Sequence, residues 1–418
     1  MDPPCAPTAP NTDFPPGGWP VPRSLYLHVP FCRHRCGYCN FSVLAGRDDL
    51  QDRFLDAIEI ELAEIQRSSS NGTAGAGATV SGDSWSRRPT AGPIRLDTLY
   101  LGGGTPTELT PPRLERLFSI LSERVLLSSD AEFTCEANPE DLTTETLAQL
   151  AAGGVNRLSL GVQSFHDAKL KMLQRSHAGD QAIAAVRRAS SLIENISIDL
   201  IFAAPGETLA DWQQDLDTVI KLPIEHLSTY SLTYEKGTEF WSRRRRGTLQ
   251  PVSEETDIEM YSATRHMLAG AGFQHYEISS FAKPGARSRH NSVYWNGYGW
   301  YAVGPSAARF VGGRRDVNHR SPTTYLKQVL ADGNAIADRE TISLDQHARE
   351  LAAFGIRQIE GIDLQLINQR VGYDFAVTIQ DVIERFVQTD TLVRRGDHIR
   401  LTEYGLLFAD MVESQILG

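Results

Sequence analysis

Residues 24–39 read SLYLHVPFCRHRCGYC, a short apolar run that stops at Pro30 and is followed by three cysteines. Cys32, Cys36 and Cys39 follow one another in the pattern C-x3-C-x2-C. The apolar run predicts a buried strand, which places the cysteines on the loop at its carboxyl end. Thiols this close together in sequence favour a shared metal ion or cluster over a disulfide framework.

Two kinds of metal centre suit three thiolates. Zinc is commonly held by three cysteines and one histidine, and His28 and His34 lie nearby in the sequence. Zinc motifs usually consist of two CxxC-like halves separated by a linker, and the sequence offers no second half. Three thiolates that hold a four-iron cluster leave one iron open to another ligand. The spacing therefore favours an iron–sulfur cluster over zinc.

Strand-like and helix-like stretches alternate from this loop to about residue 232. Helices are predicted at 48–67, 143–152 and 209–220, among others, and strands at 24–29, 97–101, 132–136, 157–161, 196–202 and 226–232. This alternation is typical of right-handed βαβ units on a parallel sheet. About six units are too few for a closed eightfold barrel. The sequence therefore predicts an α/β fold, a partial (β/α)6 barrel that binds ligands at the carboxyl ends of its strands.

The remaining segments complete the predicted domain organisation. Residues 1–23 are rich in proline and predict a disordered tail, and the small, polar residues 68–93 predict a flexible insertion. The insertion lies within the barrel domain, residues 24–285, and residues 286–418 form a C-terminal domain. A winged-helix-like α+β domain is predicted there from helices near 344–359 and 377–387, strands 391–394 and 398–401, and a last helix.

The charge balance bears on partners and location. The chain has 418 residues and a net charge of −11, which argues against nucleic acid because phosphate binding needs a basic face. No apolar run approaches the ~18 residues that span a bilayer, and the N-terminus lacks a secretory layout, so we expect no transmembrane segment and a cytoplasmic location. Residues 243–246 are four consecutive arginines, a positively charged stretch in a chain that is acidic overall. A solvated helix end or loop is the preferred interpretation, and an anionic partner is the alternative.

Five stretches together carry a family resemblance: LYLHVPFC (25–32), LGGGTPT (101–107), CEANP (135–139), LSLGVQSF (158–165) and IDLI (198–201). The cysteine pattern resembles the signature of the radical S-adenosylmethionine (SAM) superfamily, which lies on the loop after strand one. The fuller resemblance is to the oxygen-independent coproporphyrinogen oxidases and their relatives, the HemW-type haem chaperones. It extends from about residue 24 to the C-terminus, interrupted by residues 68–93.

The resemblance implies that Cys32, Cys36 and Cys39 hold a 4Fe-4S cluster whose open iron binds SAM. One electron from the cluster then breaks a C–S bond of SAM to give a 5′-deoxyadenosyl radical. The glycines of the implied SAM site let backbone approach the ligand. Each of these residues also has an interpretation that involves no SAM. The glycines would form only a turn, Tyr26 would belong to the core, and charged residues would form internal salt bridges, such as Glu136 with Arg157. The SAM-contacting residues implied are Tyr26, Tyr38, Gly102, Gly103, Gly104, Thr105, Glu136, Gln163, Arg175 and Asp199.

Two features distinguish the oxidases from the chaperones. The oxidases carry a long N-terminal extension and a fourth cysteine two residues after the third, and Phe41 stands at that position here. Residues 290–295 read HNSVYW and match the HNxxYW element of the chaperones, which implies haem binding by His290, Asn291, Tyr294 and Trp295. Histidine and tyrosine can both ligate haem iron, and tryptophan offers a flat face. The alternative is that this segment closes the barrel mouth with His290 hydrogen-bonded.

The sequence therefore predicts a radical SAM-type haem chaperone with a 4Fe-4S cluster, exchangeable SAM and bound haem, which it delivers to an acceptor protein. An electron donor would reduce the cluster. The first alternative is an oxygen-independent coproporphyrinogen III oxidase, which the absent fourth cysteine disfavours. The second is a non-catalytic metal-binding interaction module, which the SAM motifs disfavour.

Overall fold

A computed structural model describes residues 15–71 and 92–418, and within them six parallel strands alternate with helices as the sequence predicts. These elements are β1 (Ser24–Val29), α1 (Gln51–Asn71), β2 (Ile94–Gly103), α2 (Pro111–Arg124), β3 (Val125–Ala137), α3 (Thr144–Ala152), β4 (Arg157–Gln163), α4 (Asp167–Met172), α5 (Gly179–Ala189), β5 (Asn195–Phe202), α6 (Leu209–Ile220) and β6 (His226–Ser231).

The chain then adds shorter elements that widen the sheet and cover its ends. They are α7 (Glu239–Arg245), α8 (Glu254–Gly270), β7 (Gln274–Glu277), β8 (Ser280–Ala282), α9 (Arg289–Trp295), β9 (Tyr301–Val303), β10 (Ala308–Val311), β11 (Arg314–Asn318), α10 (Pro322–Asp332) and β12 (Ile336–Thr341). The main sheet has the order β9-β1-β2-β3-β4-β5-β6-β8-β7. Strand β9 pairs in parallel with β1, whereas β8 pairs antiparallel with β6, so the sheet is a partial barrel with two added edges.

The two faces of the main sheet differ in polarity because alternate residues of a strand point to opposite faces. On β1, Leu25, Leu27 and Val29 are fully buried in the apolar core formed with the outer helices. Ser24, Tyr26 and His28 point to the other face, the lumen of the barrel. Parallel sheets are usually apolar on both faces, so a polar lumen indicates a site for polar ligands.

The C-terminal unit has its own core. It consists of α11 (Leu344–Gly355), β13 (Ile362–Asp363), α12 (Leu364–Val371), α13 (Gln380–Gln388), β14 (Leu392–Arg395), β15 (His398–Leu401) and α14 (Ala409–Leu417). Helices followed by a small hairpin are the order that the sequence predicts for this unit. Its apolar core begins at Ala348, whereas the core of the main sheet extends to Ala335.

The two apolar cores therefore divide between residues 335 and 348, later in the chain than the boundary at 285/286 that the sequence predicts. The physical reason is β9, which hydrogen-bonds to the edge strand β1 and ties the following residues to the barrel. A strand of three residues carries too little periodicity to be found in the sequence.

The predicted tail and insertion lie mostly outside the described residues, which exclude 1–14 and 72–91. Their inner ends differ from the prediction. Trp19 packs edge-on against Phe310 and His347, with ring centroids 5.6 and 4.9 Å apart, and α1 continues to Asn71. Among the described helices, none is long and apolar enough to cross a membrane.

Candidate cluster and cofactor site

The three cysteines lie on the loop that follows β1, at the carboxyl end of the barrel. Cys36 is buried, and Cys32 and Cys39 are partly exposed. Burial, with added repulsion from the neighbouring Cys39 and Cys36, raises the pKa of the Cys32 thiol to about 12, so the thiols are within electrostatic reach of one another. In the described part of the chain, no three His, Cys, Asp or Glu side chains form a group suited to a single metal ion.

The donor set nevertheless fits a cluster held by three thiolates. Nε2 of His34, the nearest histidine, lies 3.5 Å from the Cys36 sulfur but also 2.5 Å from the carbonyl oxygen of Gln174. That backbone contact engages one ring nitrogen of His34, and the three thiols of the loop are the donors that would hold a cluster.

Glu136, on β3, bonds to two residues of the neighbouring strand β2. Its carboxylate accepts hydrogen bonds from the Tyr100 hydroxyl at 2.8 Å and from the backbone N–H of Gly103 at 2.9 Å. Burial and repulsion from Asp199 raise the pKa of Glu136 and these two hydrogen bonds lower it, and the net result is a pKa of about 7. Near neutral pH this carboxyl is therefore poised between its charged and neutral forms.

The glycines at the end of β2 are required by the packing of the cysteine loop. Gly103 has a φ of +106°, and a Cβ there would lie 2.4 Å from Nδ1 of His28. A Cβ on Gly104 would lie 2.6 Å from the carbonyl oxygen of Phe31. On Gly102 it would lie 2.9 Å from the Glu136 carboxylate. All three contacts are with other residues of the protein. The absence of side chains at these glycines therefore allows β1 and β2 to pack closely, whether or not a ligand is bound.

Arg175 approaches the cysteines from the loop after α4. Its Nη2 donates to Oδ1 of Asn138 at 2.5 Å and to the carbonyl of Gly161 at 2.9 Å, and Nη1 lies 3.7 Å from the Cys36 sulfur. Asn138 in turn donates to the Thr105 hydroxyl, which is 3.7 Å from the Cys32 sulfur. The Nε of Arg175 is buried without a partner and so has a hydrogen bond to offer to a ligand carboxylate.

Asp199 and Gln163 complete the predicted SAM residues on the strands. Asp199 accepts a hydrogen bond from Ser159 at 3.2 Å, and burial raises its pKa to about 6. Gln163 ends β4 with a φ of +66°, a conformation that costs free energy for a residue other than glycine and is often found at functional sites. Glu136, Gln163, Arg175 and Asp199 thus surround the carboxyl end of the lumen.

The salt bridge proposed as an alternative for Glu136 does not form. Arg157 is only 2% exposed, and its Nε has no hydrogen-bond partner. The guanidinium lies on the lumen side of β4 and acts at a distance, where its charge lowers the pKa of both Glu136 and Asp199.

The two predicted aromatic contacts lie in different places. Tyr26 lies inside the lumen, with its ring centroid 5.9 Å from that of Tyr100 and its hydroxyl 3.2 Å from Nδ1 of His28. Tyr38 lies edge-on to Phe240 of α7 at 6.0 Å. Burial raises the pKa of Tyr38, while the nearby Arg175 guanidinium lowers it and Cys36 raises it, so its hydroxyl lies beside both groups. The structure therefore brings Tyr26 to the Glu136 network and Tyr38 to Arg175 and the cysteine loop.

The predicted haem residues lie near the opposite end of the barrel. Thr98 pairs with Ser24, the first residue of β1, and its hydroxyl lies 2.9 Å from Nδ1 of His290. Nε2 of His290 lies 2.9 Å from the hydroxyl of Tyr294. Burial lowers the pKa of His290 to about 3, so the imidazole is neutral. His290 is therefore hydrogen-bonded, as the alternative interpretation holds, but α9 covers the amino end of the strands and not the mouth.

Asn291 and Trp295 complete that element. The backbone N–H of Asn291 donates to the Ser288 hydroxyl, which caps α9. Trp295 faces the C-terminal unit, because the guanidinium of Arg357 lies 5.5 Å from the centre of its ring. The indole Nε1 of Trp295 is buried without a partner.

Sequence analysis missed Tyr100, and it gave no separate role in the site to three other residues. His28 and Asn138 appeared there only within motifs, and Arg157 only as a salt-bridge partner of Glu136. The signal that could have found them is the polar residue at every second position of the predicted strands, such as Thr98 and Tyr100 on β2. Applied to each strand, this alternation identifies the lumen face.

The partial barrel, the three-cysteine loop and the polar lumen define a radical SAM protein. Residues 90–219 match the Radical SAM superfamily, and residues 342–408 match the HemN C-terminal domain. In structure the chain is similar to coproporphyrinogen III oxidase (HemN) from Escherichia coli, with a TM-score of 0.79 and 22% identity over 95% of this chain and 90% of that one. This likeness confirms the predicted fold.

The sequence relatives specify the family. The chain is 31% identical over 398 residues to the heme chaperone HemW of Bacillus subtilis, covering 95% of this chain and 99% of the relative. It is 33% identical over 405 residues to the heme chaperone HemW of Mycobacterium tuberculosis, covering 95% of each. A mouse relative, radical S-adenosyl methionine domain-containing protein 1, mitochondrial, is 30% identical over 89% of this chain and 81% of its own. The chain belongs to the HemW family of heme chaperones.

Proposed function

We propose that this chain binds haem and delivers it to an acceptor protein, and that it holds a 4Fe-4S cluster and exchangeable SAM for this purpose. The observation that carries the proposal is its similarity to heme chaperones over nearly the full length of both chains. The three-thiol loop above a polar lumen supports the cluster and SAM. The acceptor, the electron donor and a cytoplasmic location remain predictions.

Cys32, Cys36 and Cys39 would hold the cluster, which supplies a one-electron centre with an iron open to SAM. Around that position the chain offers complementary groups. The unpartnered Nε of Arg175 would donate to a carboxylate, and Glu136 would accept from an ammonium group. Gln163 and Asp199, farther round the lumen, would accept from the ribose hydroxyls.

Haem binding at residues 290–295 requires a rearrangement. His290 can ligate iron through Nε2 only after it gives up the Tyr294 hydroxyl, and the ring is 1% exposed. Haem binding would therefore be coupled to movement of α9. Trp295, with its unpartnered indole N–H, would offer the adjacent flat face.

The oxidase is the second candidate, because the fold resembles HemN closely. Phe41 weighs against it. This side chain is 64% exposed at the position of the missing cysteine, and a phenyl ring neither binds iron nor exchanges protons.

The test is anaerobic reconstitution followed by a haem titration and a coproporphyrinogen assay on one sample. We expect about four irons and about one haem per chain, with no decarboxylation. Conversion of coproporphyrinogen III to protoporphyrinogen IX without haem binding would contradict the chaperone function and support the oxidase function. Stoichiometric zinc with no iron would favour the metal-binding module.

A further inference from the structure

The four-arginine run of residues 243–246 lies on and just after α7, a helix whose first turn contacts the cysteine loop. Helix α7, which contains its first three residues, begins against that loop: the backbone N–H of Phe240 donates to the Gly37 carbonyl at 2.9 Å. The side chain of Gln174, whose carbonyl contacts His34, also donates to Glu239 of α7. A helix rises about 1.5 Å per residue, so Arg245 begins only about 8 Å along the axis from Phe240.

Aromatic rings hold these arginines outward. The guanidinium of Arg244 lies 4.8 Å from the centre of the Tyr234 ring, and that of Arg245 lies 5.0 Å from the Trp241 ring. Such cation–π contacts limit the rotamers of a side chain without neutralising its charge. Arg244, Arg245 and Arg246 are all exposed.

Most of the arginines in this run form no ion pair with the residues that the structure describes. Arg243 pairs with Glu239 at 3.6 Å, but within residues 15–71 and 92–418 no carboxylate forms an ion pair with Arg244, Arg245 or Arg246. The exposed Arg35, on the cysteine loop itself, also has no carboxylate partner in those ranges. The chain as a whole carries −11, so a cationic surface here opposes the overall field. We define the arginine surface as Arg244, Arg245 and Arg246 together with Arg35, which lies on the cysteine loop that α7 contacts.

We infer that the arginine surface docks an acidic electron-transfer protein that reduces the cluster. The inference rests on the proposed cluster at Cys32, Cys36 and Cys39. One electron passes from the donor to the cluster, the donor is oxidised by one electron, and no bond forms or breaks. Complementary charge accelerates encounter more than it strengthens the complex, which suits a donor that must arrive and leave. Redox partners typically use interfaces smaller than about 1,200 Å², which a few arginines can serve.

A polyanion is the competing occupant, and the remaining charge disfavours it. An extended nucleic acid would contact surface well beyond four arginines, where the net negative charge repels phosphate. A compact acidic protein can present its negative patch to the arginine surface alone.

The first measurement is the rate of cluster reduction in the reconstituted full chain, with a ferredoxin of strongly negative net charge as the donor. The double variant Arg244→Glu/Arg245→Glu should slow reduction at low salt by about tenfold or more, because steering of this kind speeds association by 10–10³-fold. Added salt should slow the wild-type reaction and not that of the variant. Dithionite, a small reductant, should reduce both proteins equally.

The matched control is Arg395→Glu/Arg400→Glu, which reverses two exposed arginines on the β14–β15 hairpin of the C-terminal unit. It changes the net charge by the same amount and should be reduced at the wild-type rate. If both double variants slow reduction equally, the effect is one of net charge and the inference is wrong. Arg244→Gln/Arg245→Gln, with a smaller expected loss, replaces the glutamate variant if that protein does not fold.

The second measurement is the dissociation constant of the same ferredoxin for cluster-free protein, by titration calorimetry at low salt. The variant should bind about tenfold more weakly than the wild type and the control. Equal binding by all three proteins would overturn the inference, as would displacement of the ferredoxin by short RNA at equimolar concentration. Failure of the wild type to assemble a cluster would contradict the proposed function instead, and the binding measurement would still decide the docking surface.

Discussion

Nε2 of His290 and the hydroxyl of Tyr294 lie 2.9 Å apart, so the two side chains that the sequence offers as haem ligands bind to each other. Thr98 occupies the other ring nitrogen of His290, and backbone N–H groups of α9 donate to Glu132. These bonds fix α9 across the amino end of the barrel, away from the cysteine loop. A ligand that coordinates either side chain must compete with the bond between them.

That competition gives opposite predictions for the two residues. Tyr294→Phe removes the partner of Nε2 and frees the imidazole, so we expect this variant to keep the Soret band of bound haem. His290→Ala removes the ligand and should lose the band. An unchanged Soret band in His290→Ala would contradict haem ligation by this residue.

Both substitutions should also lower the free energy of unfolding. His290→Ala leaves Thr98 and Tyr294 unpaired around a cavity, at a cost of about 2–4 kcal/mol. Tyr294→Phe leaves only the His290 nitrogen unpaired, at about 1–3 kcal/mol. Denaturant unfolding measures both values, and haem spectra should be compared only where each variant is folded.

The cluster ligands can be tested against a cysteine with a different environment. Cys32→Ala, Cys36→Ala and Cys39→Ala should each lose the cluster after anaerobic reconstitution, as measured by iron and sulfide analysis. Cys135 is the internal control: it is fully buried on β3, and its thiol donates to the Glu136 carbonyl at 3.4 Å. Cys135→Ala should retain iron. Full iron content in any variant of the first three would contradict the assigned ligand set.

Gly103→Ala should destabilise the junction of β1 and β2. The new Cβ would lie 2.4 Å from the His28 ring, whose Nε2 lies 2.8 Å from the carbonyl oxygen of Ser42 beyond the cysteine loop. We expect a loss of about 2–4 kcal/mol in the free energy of unfolding, together with less bound iron.

Gly46→Ala provides the control for backbone strain alone. Gly46 also has a positive φ, +63°, but nothing lies within 4 Å of its Cβ position. It should lose only about 1 kcal/mol and keep its iron. Equal losses in the two variants would show that the His28 contact is unimportant.

The sequence predicts those features of the fold that depend on local pattern. The predicted bounds of β1, 24–29, and of α6, 209–220, are those of the structure, because a buried strand and an amphipathic helix each have a clear period. Strand β9 was missed because its position depends on pairing with β1. His290 and Tyr294 are four residues apart, one turn of a helix, so their hydrogen bond could be expected from the sequence. The position of this pair at the amino end of the barrel depends on Thr98, which is distant in sequence.

The pH dependence of SAM binding tests the charge of the lumen. Burial raises the pKa of Glu136 to about 7 and of Asp199 to about 6. If both carboxylates bind SAM in charged form, its affinity should fall as the pH drops from 8 to 5.5. The free energy of unfolding should change in the opposite direction. The folded protein holds these protons more tightly than the unfolded chain, so the free energy of unfolding should fall as the pH rises towards 7. Equilibrium dialysis and denaturant unfolding across this range measure the two effects.

Arg157→Gln should move the midpoint of that SAM profile to higher pH. The buried guanidinium lowers the pKa of both acids, so its removal lets them protonate earlier as the pH falls, and affinity lost at pH 7 should return at pH 9. Arg157→Lys keeps the charge and should keep the midpoint. Arg357→Gln is the control, because this arginine also has an unpartnered Nε but lies against Trp295 and the C-terminal unit. Iron content must be constant at each pH compared. An Arg157→Gln profile that weakens uniformly, with its midpoint unmoved, would mean that Arg157 supports the fold without tuning the two carboxyls.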